Sequence, residues 1–203
     1  MPILREKDVF YIILEMEIVQ FTIIDFKDLN LEEIREKYPL SDIDLLNLQK
    51  YKCERVRKEK HISMFLKRKY VGEFTLNEYG KPLSKDIYFN ISHSGSKVIF
   101  VKANVPVGVD IESKREIDTK VQEYISSKEE INEDFYKVWT SKESLSKCLG
   151  TGLREDIKKI PSLPFDGIKT YKEKTYFSHI FEVEDYVLSV TIESKNDFKL
   201  VKL

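Results

Sequence analysis

Asp110 and Glu112 stand two apart in Gly108-Val109-Asp110-Ile111-Glu112. Alternate residues of a strand share a face. In a strand both carboxylates therefore point one way and Val107, Val109 and Ile111 the other, with Gly108 leaving the polar face open beside them. A second group lies in Trp139-Thr140-Ser141-Lys142-Glu143-Ser144-Leu145-Ser146-Lys147. There Trp139, Glu143 and Lys147 recur every four residues and line one stripe of a helix. Taken singly, each group has a plain structural explanation: a solvated acidic strand end, or an exposed Glu–Lys pair with Trp139 as a core anchor. Taken together, two carboxylates on a strand and one on a helix make a hard-cation site. Like charges about 4 Å apart repel by about 4 kcal/mol at an effective dielectric near 20. Three gathered carboxylates thus need a cation or must take up protons. Magnesium keeps coordination places for water and phosphate oxygens, so the implied substrate is a phosphate ester or pyrophosphate.

Two further groups bear on phosphate. Phe89-Asn90-Ile91-Ser92-His93-Ser94-Gly95 reads as a strand running into a small polar loop. The N–H groups of such a loop, with His93, can cradle a phosphate; the same residues also make an ordinary turn with a satisfied histidine. No G-x-S-x-G elbow surrounds Ser92 or Ser94, which weighs against a serine hydrolase. The basic group is Lys50, Lys52, Arg55, Arg57, Lys58 and Lys60, with Lys81 in Gly80-Lys81-Pro82. Most of it reads as a solvated helix face, and some of it can clamp a phosphate away from the reacting centre.

The elements that must position these groups are mixed. Phe10–Leu14 and Ile18–Ile24 read as strands, Leu29–Tyr38 as a helix, and Ser41 as the cap of another starting near Asp42. Ile62, Phe65, Leu66 and Tyr70 keep helical spacing within the charged stretch Leu45–Tyr70. After a turn at Asn77–Pro82, Ile87–Ile91, Val98–Lys102 and Val107–Ile111 read as strands. Val121–Tyr124 reads as a short helix and Phe135–Leu149 as a helix closed by Gly150 or Gly152. Tyr176–Val183 and Tyr186–Ile192 form a hairpin around Glu184-Asp185, and Arg154–Lys174 is the least patterned stretch. The fold class is α+β.

The chain has 203 residues, enough for one domain or two small ones. With 41% hydrophobic and 34% charged residues it is globular. Its 34 basic residues against 35 acidic ones argue against a general nucleic-acid binder. Cys53 and Cys148 make no disulfide framework and are read as reduced buried thiols. The apolar stretch Val9 to Ile24 is broken by Glu15, Glu17 and Gln20, which fits neither a membrane helix nor a signal peptide. The expectation is a cytoplasmic protein without membrane association.

In their order, these motifs resemble the Sfp-type 4′-phosphopantetheinyl transferases. That family carries a GKP element, an F-N-x-S-H-S element, G-[IV]-D-[IV]-E, and W-x-x-K-E-[SA]-x-x-K, often followed by G-x-G-L. Here they stand at Gly80-Lys81-Pro82, Phe89–Ser94, Gly108–Glu112, Trp139–Lys147 and Gly150-Thr151-Gly152-Leu153. The resemblance implies transfer of the phosphopantetheine arm of coenzyme A to a serine hydroxyl of an apo acyl or peptidyl carrier protein, with release of adenosine 3′,5′-bisphosphate. It implies that Asp110, Glu112 and Glu143 hold Mg²⁺, with Mn²⁺ accepted on the same oxygen chemistry. It makes Glu143 a candidate base, directly or through water. Lys147 would pair with pyrophosphate charge, with Lys142 beside the same centre. Ser92 and His93 would contact the phosphates, Lys81 would reach the nucleotide end, and Lys52 and Arg55 would hold the 3′-phosphate. The implied fold is a monomeric pseudo-dimer of two similar α/β subdomains, residues 1–102 and 103–203, with the active site in the cleft between them. The carrier would meet the region from Asp118 to Tyr136 and the apolar face near Leu149 and Leu153. Fatty-acid, polyketide and nonribosomal peptide carriers all fit. A coenzyme A-binding module without turnover and a Mg²⁺-dependent pyrophosphate hydrolase are the rival readings.

Overall fold

A computed structural model describes residues 16–152 and 156–203. The expected strand Phe10–Leu14 and the site residue Leu153 lie outside the described residues. The elements run β1 (Glu17–Asp25), α1 (Leu31–Lys37), α2 (Asp42–Leu48), α3 (Glu54–Tyr70), β2 (Thr75–Leu76), β3 (Pro82–Leu83), β4 (Tyr88–Ser94), β5 (Lys97–Ala103) and β6 (Val107–Ser113). They continue with α4 (Thr119–Ile125), α5 (Phe135–Leu149), a 3-10 turn (Ile157–Lys159), β7 (Gly167–Tyr171), β8 (Lys174–Val183), β9 (Tyr186–Ile192) and β10 (Phe198–Lys202). The content is mixed helix and sheet, as the sequence predicts. Among the described residues no helix is long and apolar enough to cross a membrane.

Two four-stranded sheets carry the architecture. The first has the order β10-β1-β5-β4, with β10 parallel to β1 and the other pairs antiparallel. The second has the order β6-β9-β8-β7 and is antiparallel throughout. Strand alternation sorts their side chains into layers. Ile99, Val101 and Ala103 of β5 meet Val107, Val109 and Ile111 of β6, with Leu188, Val190 and Ile192 of β9, in one core between the sheets. Val98 and Phe100, on the other face of β5, pack with Ile34 of α1 and Ile62 and Leu66 of α3. On the far side of the second sheet lies α5. The chain is thus layered helix, sheet, sheet, helix.

Local chemistry sets the helix ends. Asn30 and Glu33 form a capping box on α1. Ser41 caps α2 as its position predicts. Asp134 caps α5, which spans the predicted residues and stops at Gly150 in the left-handed region, φ 80°.

Several expectations change. Ser92-His93-Ser94 is strand, not loop: these residues pair with Ile99, Val98 and Lys97 of β5, and only Gly95 and Ser96 make the turn. Their backbone follows the β4–β5 ladder in place of the loop that the sequence suggested. The unpatterned stretch before Lys174 holds the 3-10 turn and β7. The charged stretch Leu45–Tyr70 is two helices, broken between Leu48 and Glu54. Both cysteines are free, but Cys53 is exposed; only Cys148 is buried.

Candidate active site

Helix α5 lies across β6, and the contact depends on a missing side chain. A Cβ built on Gly108 would collide with the Ser144 carbonyl oxygen and the Cys148 nitrogen. The space that the sequence left open beside the carboxylates is therefore filled by α5 backbone. Around this contact the interface is small and hydroxylic: Ser144 Oγ lies 2.8 Å from both Ser189 Oγ and Thr191 Oγ1.

This close approach sets the helix stripe against the polar face of the strand. Lys147 Nζ donates to Asp110 Oδ1 at 2.5 Å and stands 3.9 Å from Glu143 Oε2. Trp139 packs on the Ile125–Val138–Ile157 cluster and donates its indole N–H to Glu112 Oε1 at 3.3 Å. One helical turn advances about 5.4 Å and two strand residues about 6.6 Å. The eight residues from Trp139 to Lys147 rise further than the two from Asp110 to Glu112, so the long Trp139 and Lys147 side chains converge on the strand, and the two elements run in opposite directions.

The first sheet supplies the other wall. Ser92 Oγ donates to Asp110 Oδ1 at 2.8 Å and accepts from Lys147 at 3.0 Å. Ser94 Oγ donates to Glu112 Oε2 at 2.7 Å and accepts from the Ser113 amide at 3.1 Å. Asn90 Oδ1 accepts from the Val109 amide at 3.2 Å. Asn90 and Ser94 belong to the F-N-x-S-H-S element, but only Ser92 and His93 are expected from the sequence to contact phosphate. The signal was there: positions 90, 92 and 94 are polar while Phe89 and Ile91 are apolar, a period of two.

The electrostatics are unbalanced toward needing positive charge. Asp110 is 3% exposed, and its Oδ2 lacks a hydrogen-bond partner among the described residues. Burial pushes its carboxyl above the usual range, against the pull of Lys147 and Ser92. Burial also pushes Glu143 up to about 7; Lys147 opposes the rise, and Asp110 and Glu112 add to it. Among the described residues no three acidic, histidine or cysteine groups form a preassembled metal cluster. The resident cation is the Lys147 ammonium. An orphaned carboxylate oxygen and three carboxylates without a full set of donors nonetheless fit the chemistry of a hard divalent cation.

Beside this centre a cavity of about 670 Å³ is lined by Arg55, Lys58, Glu59, His93, Glu112 and Arg115, among others. Glu112 thus borders both the acidic centre and the cavity. Arg55 reaches from α3 to the Gly95 carbonyl oxygen at 3.5 Å. His93 lies on the face of β4 opposite to Ser92, with Nε2 3.1 Å from Glu59 and 3.2 Å from Lys60 Nζ. Burial lowers the His93 pKa, while Glu59 pulls it back up.

Three expected site residues are placed elsewhere. Lys142 does not lie beside the carboxylates. It is fully buried, with Nζ on Glu130 Oε2 at 2.7 Å and on the Ile157 and Ile160 carbonyl oxygens at 2.9 and 2.8 Å. A helix turns 100° per residue, so neighbours in sequence face apart. The Lys81 ammonium is held by the Lys147 and Cys148 carbonyl oxygens at 2.7 and 2.9 Å, capping the negative end of α5. The backbone around it rims a smaller hollow with Tyr79, Pro82 and Ile91. Lys52 is exposed and does not line the cavity. Ser92 is 5% exposed and turned onto Asp110.

The comparisons with known proteins meet this geometry in one place. The family model described as the 4′-phosphopantetheinyl transferase superfamily matches residues 106–191. The 4′-phosphopantetheinyl transferase gsp of Aneurinibacillus migulanus is 42% identical over an alignment covering 39% of this chain and 39% of the relative. Two from Bacillus subtilis, ffp and Sfp of strain 168, are 39% and 36% identical, each over 46% of this chain and 44% of the relative. The chain thus spans under half the length of the relatives it matches. Residues 106–191, the stretch that holds Asp110, Glu112, Glu143 and Lys147, are similar to the 4′-phosphopantetheinyl transferase superfamily, and the matched relatives, Sfp among them, are similar to this chain over less than half of its length.

Proposed function

We propose that this protein transfers the 4′-phosphopantetheine arm of coenzyme A to a serine hydroxyl of an apo acyl or peptidyl carrier protein, releasing adenosine 3′,5′-bisphosphate. The observation that carries this reading is the meeting of Asp110 and Glu112 on β6 with Glu143 and Lys147 on α5, at the edge of a cavity with a basic wall.

In this reading coenzyme A lies with a phosphate toward Arg55 and His93. That phosphate is read as the 3′-phosphate of its nucleotide end, which lies along this cavity. Asp110, Glu112 and Glu143 would hold Mg²⁺, which Mn²⁺ could replace; the ion supplies charge neutralisation at the pyrophosphate. Glu143, with its carboxyl near 7, is suited to accept the proton of the carrier serine. The serine oxygen then bonds to the phosphorus that carries the pantetheine, and the bond from that phosphorus to the bridging oxygen breaks. The electron pair leaves on the 5′-phosphate of adenosine 3′,5′-bisphosphate. Lys147 stands where charge growing on that leaving group would be countered.

Residues 1–102 and 103–203 are read as two subdomains of a pseudo-dimer, joined between β5 and β6, with coenzyme A in the cleft between them; the presence of two four-stranded sheets supports two units, although β10 of the second half completes the first sheet. The carrier would dock on the segment from Asp118 to Tyr136, where Val121 and Tyr124 of α4 are exposed, and near Leu149. The protein is read as a cytoplasmic monomer.

Intact-mass spectrometry of apo carriers incubated with this protein, coenzyme A and Mg²⁺ tests the reading. The expected result is the gain of one phosphopantetheine arm, abolished by chelator or by Glu112→Ala. No gain on any carrier, with breakdown of free coenzyme A, would instead establish a pyrophosphate hydrolase. Coenzyme A bound but unchanged would leave a binding module.

A further inference from the structure

The basic wall of the cavity already contains an anion. Glu59 projects from α3 and is 5% exposed. Its Oε1 lies 3.1 Å from both Lys60 Nζ and His93 Nε2, and its Oε2 lies 3.7 Å from Arg55 Nη1. The next cation along, Lys58, is paired with Glu54 at 2.9 Å. Every basic group of α3 that faces the cavity therefore has a carboxylate from α3 itself. His93 completes the arrangement from β4, and its Nε2 faces a donor and an acceptor at once. With a proton there it donates to Glu59; without one it accepts from Lys60.

We propose that Glu59 is an internal competitor for the phosphate monoester of the substrate, and that it sets how tightly this wall holds that phosphate. The proposal rests on the transferase reading, in which the 3′-phosphate of coenzyme A meets Arg55 and His93. A bound phosphate and the Glu59 carboxylate seek the same two cavity-lining donors, Arg55 and His93, and both are anions. Coulomb repulsion at such separations is large where water is partly excluded. Arg55 is exposed enough to turn outward to a ligand, while Glu59 is held at the floor. Binding therefore trades contacts to Glu59 for contacts to phosphate. The same trade runs in reverse when product leaves: Glu59 takes the donors back.

Calorimetric titration with adenosine 3′,5′-bisphosphate and with adenosine 5′-phosphate tests this. Glu59→Gln keeps the shape and removes the charge. The variant is expected to bind the bisphosphate at least about tenfold more tightly, about 1.4 kcal/mol, with no change for adenosine 5′-phosphate. Glu59→Asp keeps the charge but withdraws it by one methylene, and should give a gain of about two- to threefold. In turnover, KM for coenzyme A falls and product inhibition tightens by the same factor. Arg55→Ala must weaken the bisphosphate, which locates the 3′-phosphate on this wall. If Glu59→Gln unfolds, Glu59→Asp decides by the same criterion. A folded Glu59 variant that binds the bisphosphate no more tightly than the unsubstituted protein overturns the proposal and leaves the transferase reading standing. Failure of the unsubstituted protein to bind coenzyme A or the bisphosphate overturns both.

Discussion

Two faces of α5 each hold a lysine against a buried carboxylate, and they behave as opposites. Lys142 meets Glu130 at 2.7 Å, and Lys147 meets Asp110 at 2.5 Å. Around Glu130 everything is satisfied. Its oxygens accept from the Ser127 amide, the Ser162 amide and the Ser162 hydroxyl as well as Lys142. Burial pushes the Glu130 carboxyl up, but those bonds outweigh it and hold the group below its ordinary value. Around Asp110 the account stays open: one oxygen lacks a partner among the described residues, and a second carboxylate, Glu143, shares the same lysine. A buried ion pair with all its donors holds a fold together, whereas one short of donors is ready for a ligand.

The sharpest way to break the first face is Lys142→Met. It leaves Glu130 buried without its cation, and a loss of about 3–5 kcal/mol is expected in urea unfolding. The opposite sign is expected on the second face. Burial raises the Glu143 carboxyl from its ordinary 4.5 to about 7 in the folded protein. The stability this group contributes is full below about pH 4.5 and is lost as pH rises through about 7. Glu143→Gln abolishes that loss. In chelator at pH 8 the variant should be the more stable protein, by up to about 3 kcal/mol, while arm transfer falls at least about 100-fold. Equal stability of the two proteins at pH 8 would contradict the crowding inferred here. Next in size, Mg²⁺ at about 100 times its Kd should stabilise the unsubstituted protein by about 2.7 kcal/mol. That gain, read as a shift of Tm, should vanish in Asp110→Asn and reappear in full in Lys81→Met. The smallest effect is on Lys81→Met itself. It uncaps the end of α5 without touching either ion pair and should cost about 1 kcal/mol in thermal unfolding.

Much of this arrangement is legible in short-range periodicity. The two-residue period of Asp110 and Glu112 and the four-residue period of Trp139, Glu143 and Lys147 each place residues on one face, and those faces do meet. The same arithmetic separates Lys142 from Glu143, since adjacent helix residues diverge by 100°; family likeness, not spacing, had drawn Lys142 to the centre. Serine and glycine made Ser92-His93-Ser94 look like loop, although its alternation is that of a strand. Lys81 was beyond reach, because its partners Lys147 and Cys148 lie far along the chain on an element it contacts only in three dimensions. The same holds for β10, whose five residues find a parallel partner in β1. Long-range pairings of this kind leave no local periodicity to read.

The border between the two sheets has a mechanical consequence. Strands β4 and β6 lie edge to edge yet belong to different sheets. Asn90 and Ser94 take up the Val109 and Ser113 amides with side chains instead of a backbone ladder. Main-chain ladders lock a register, whereas side-chain links can lengthen, swap partners and close again by rotamer change. The seam is thus a laced joint rather than a weld. Ser94 and its neighbour Ser92 on the same face of β4 are also tied to the carboxylates, so tension at one end is felt at the other. A ligand drawing on Asp110 and Glu112 would tighten the joint, and slower amide exchange at Val109 and Ser113 would register it.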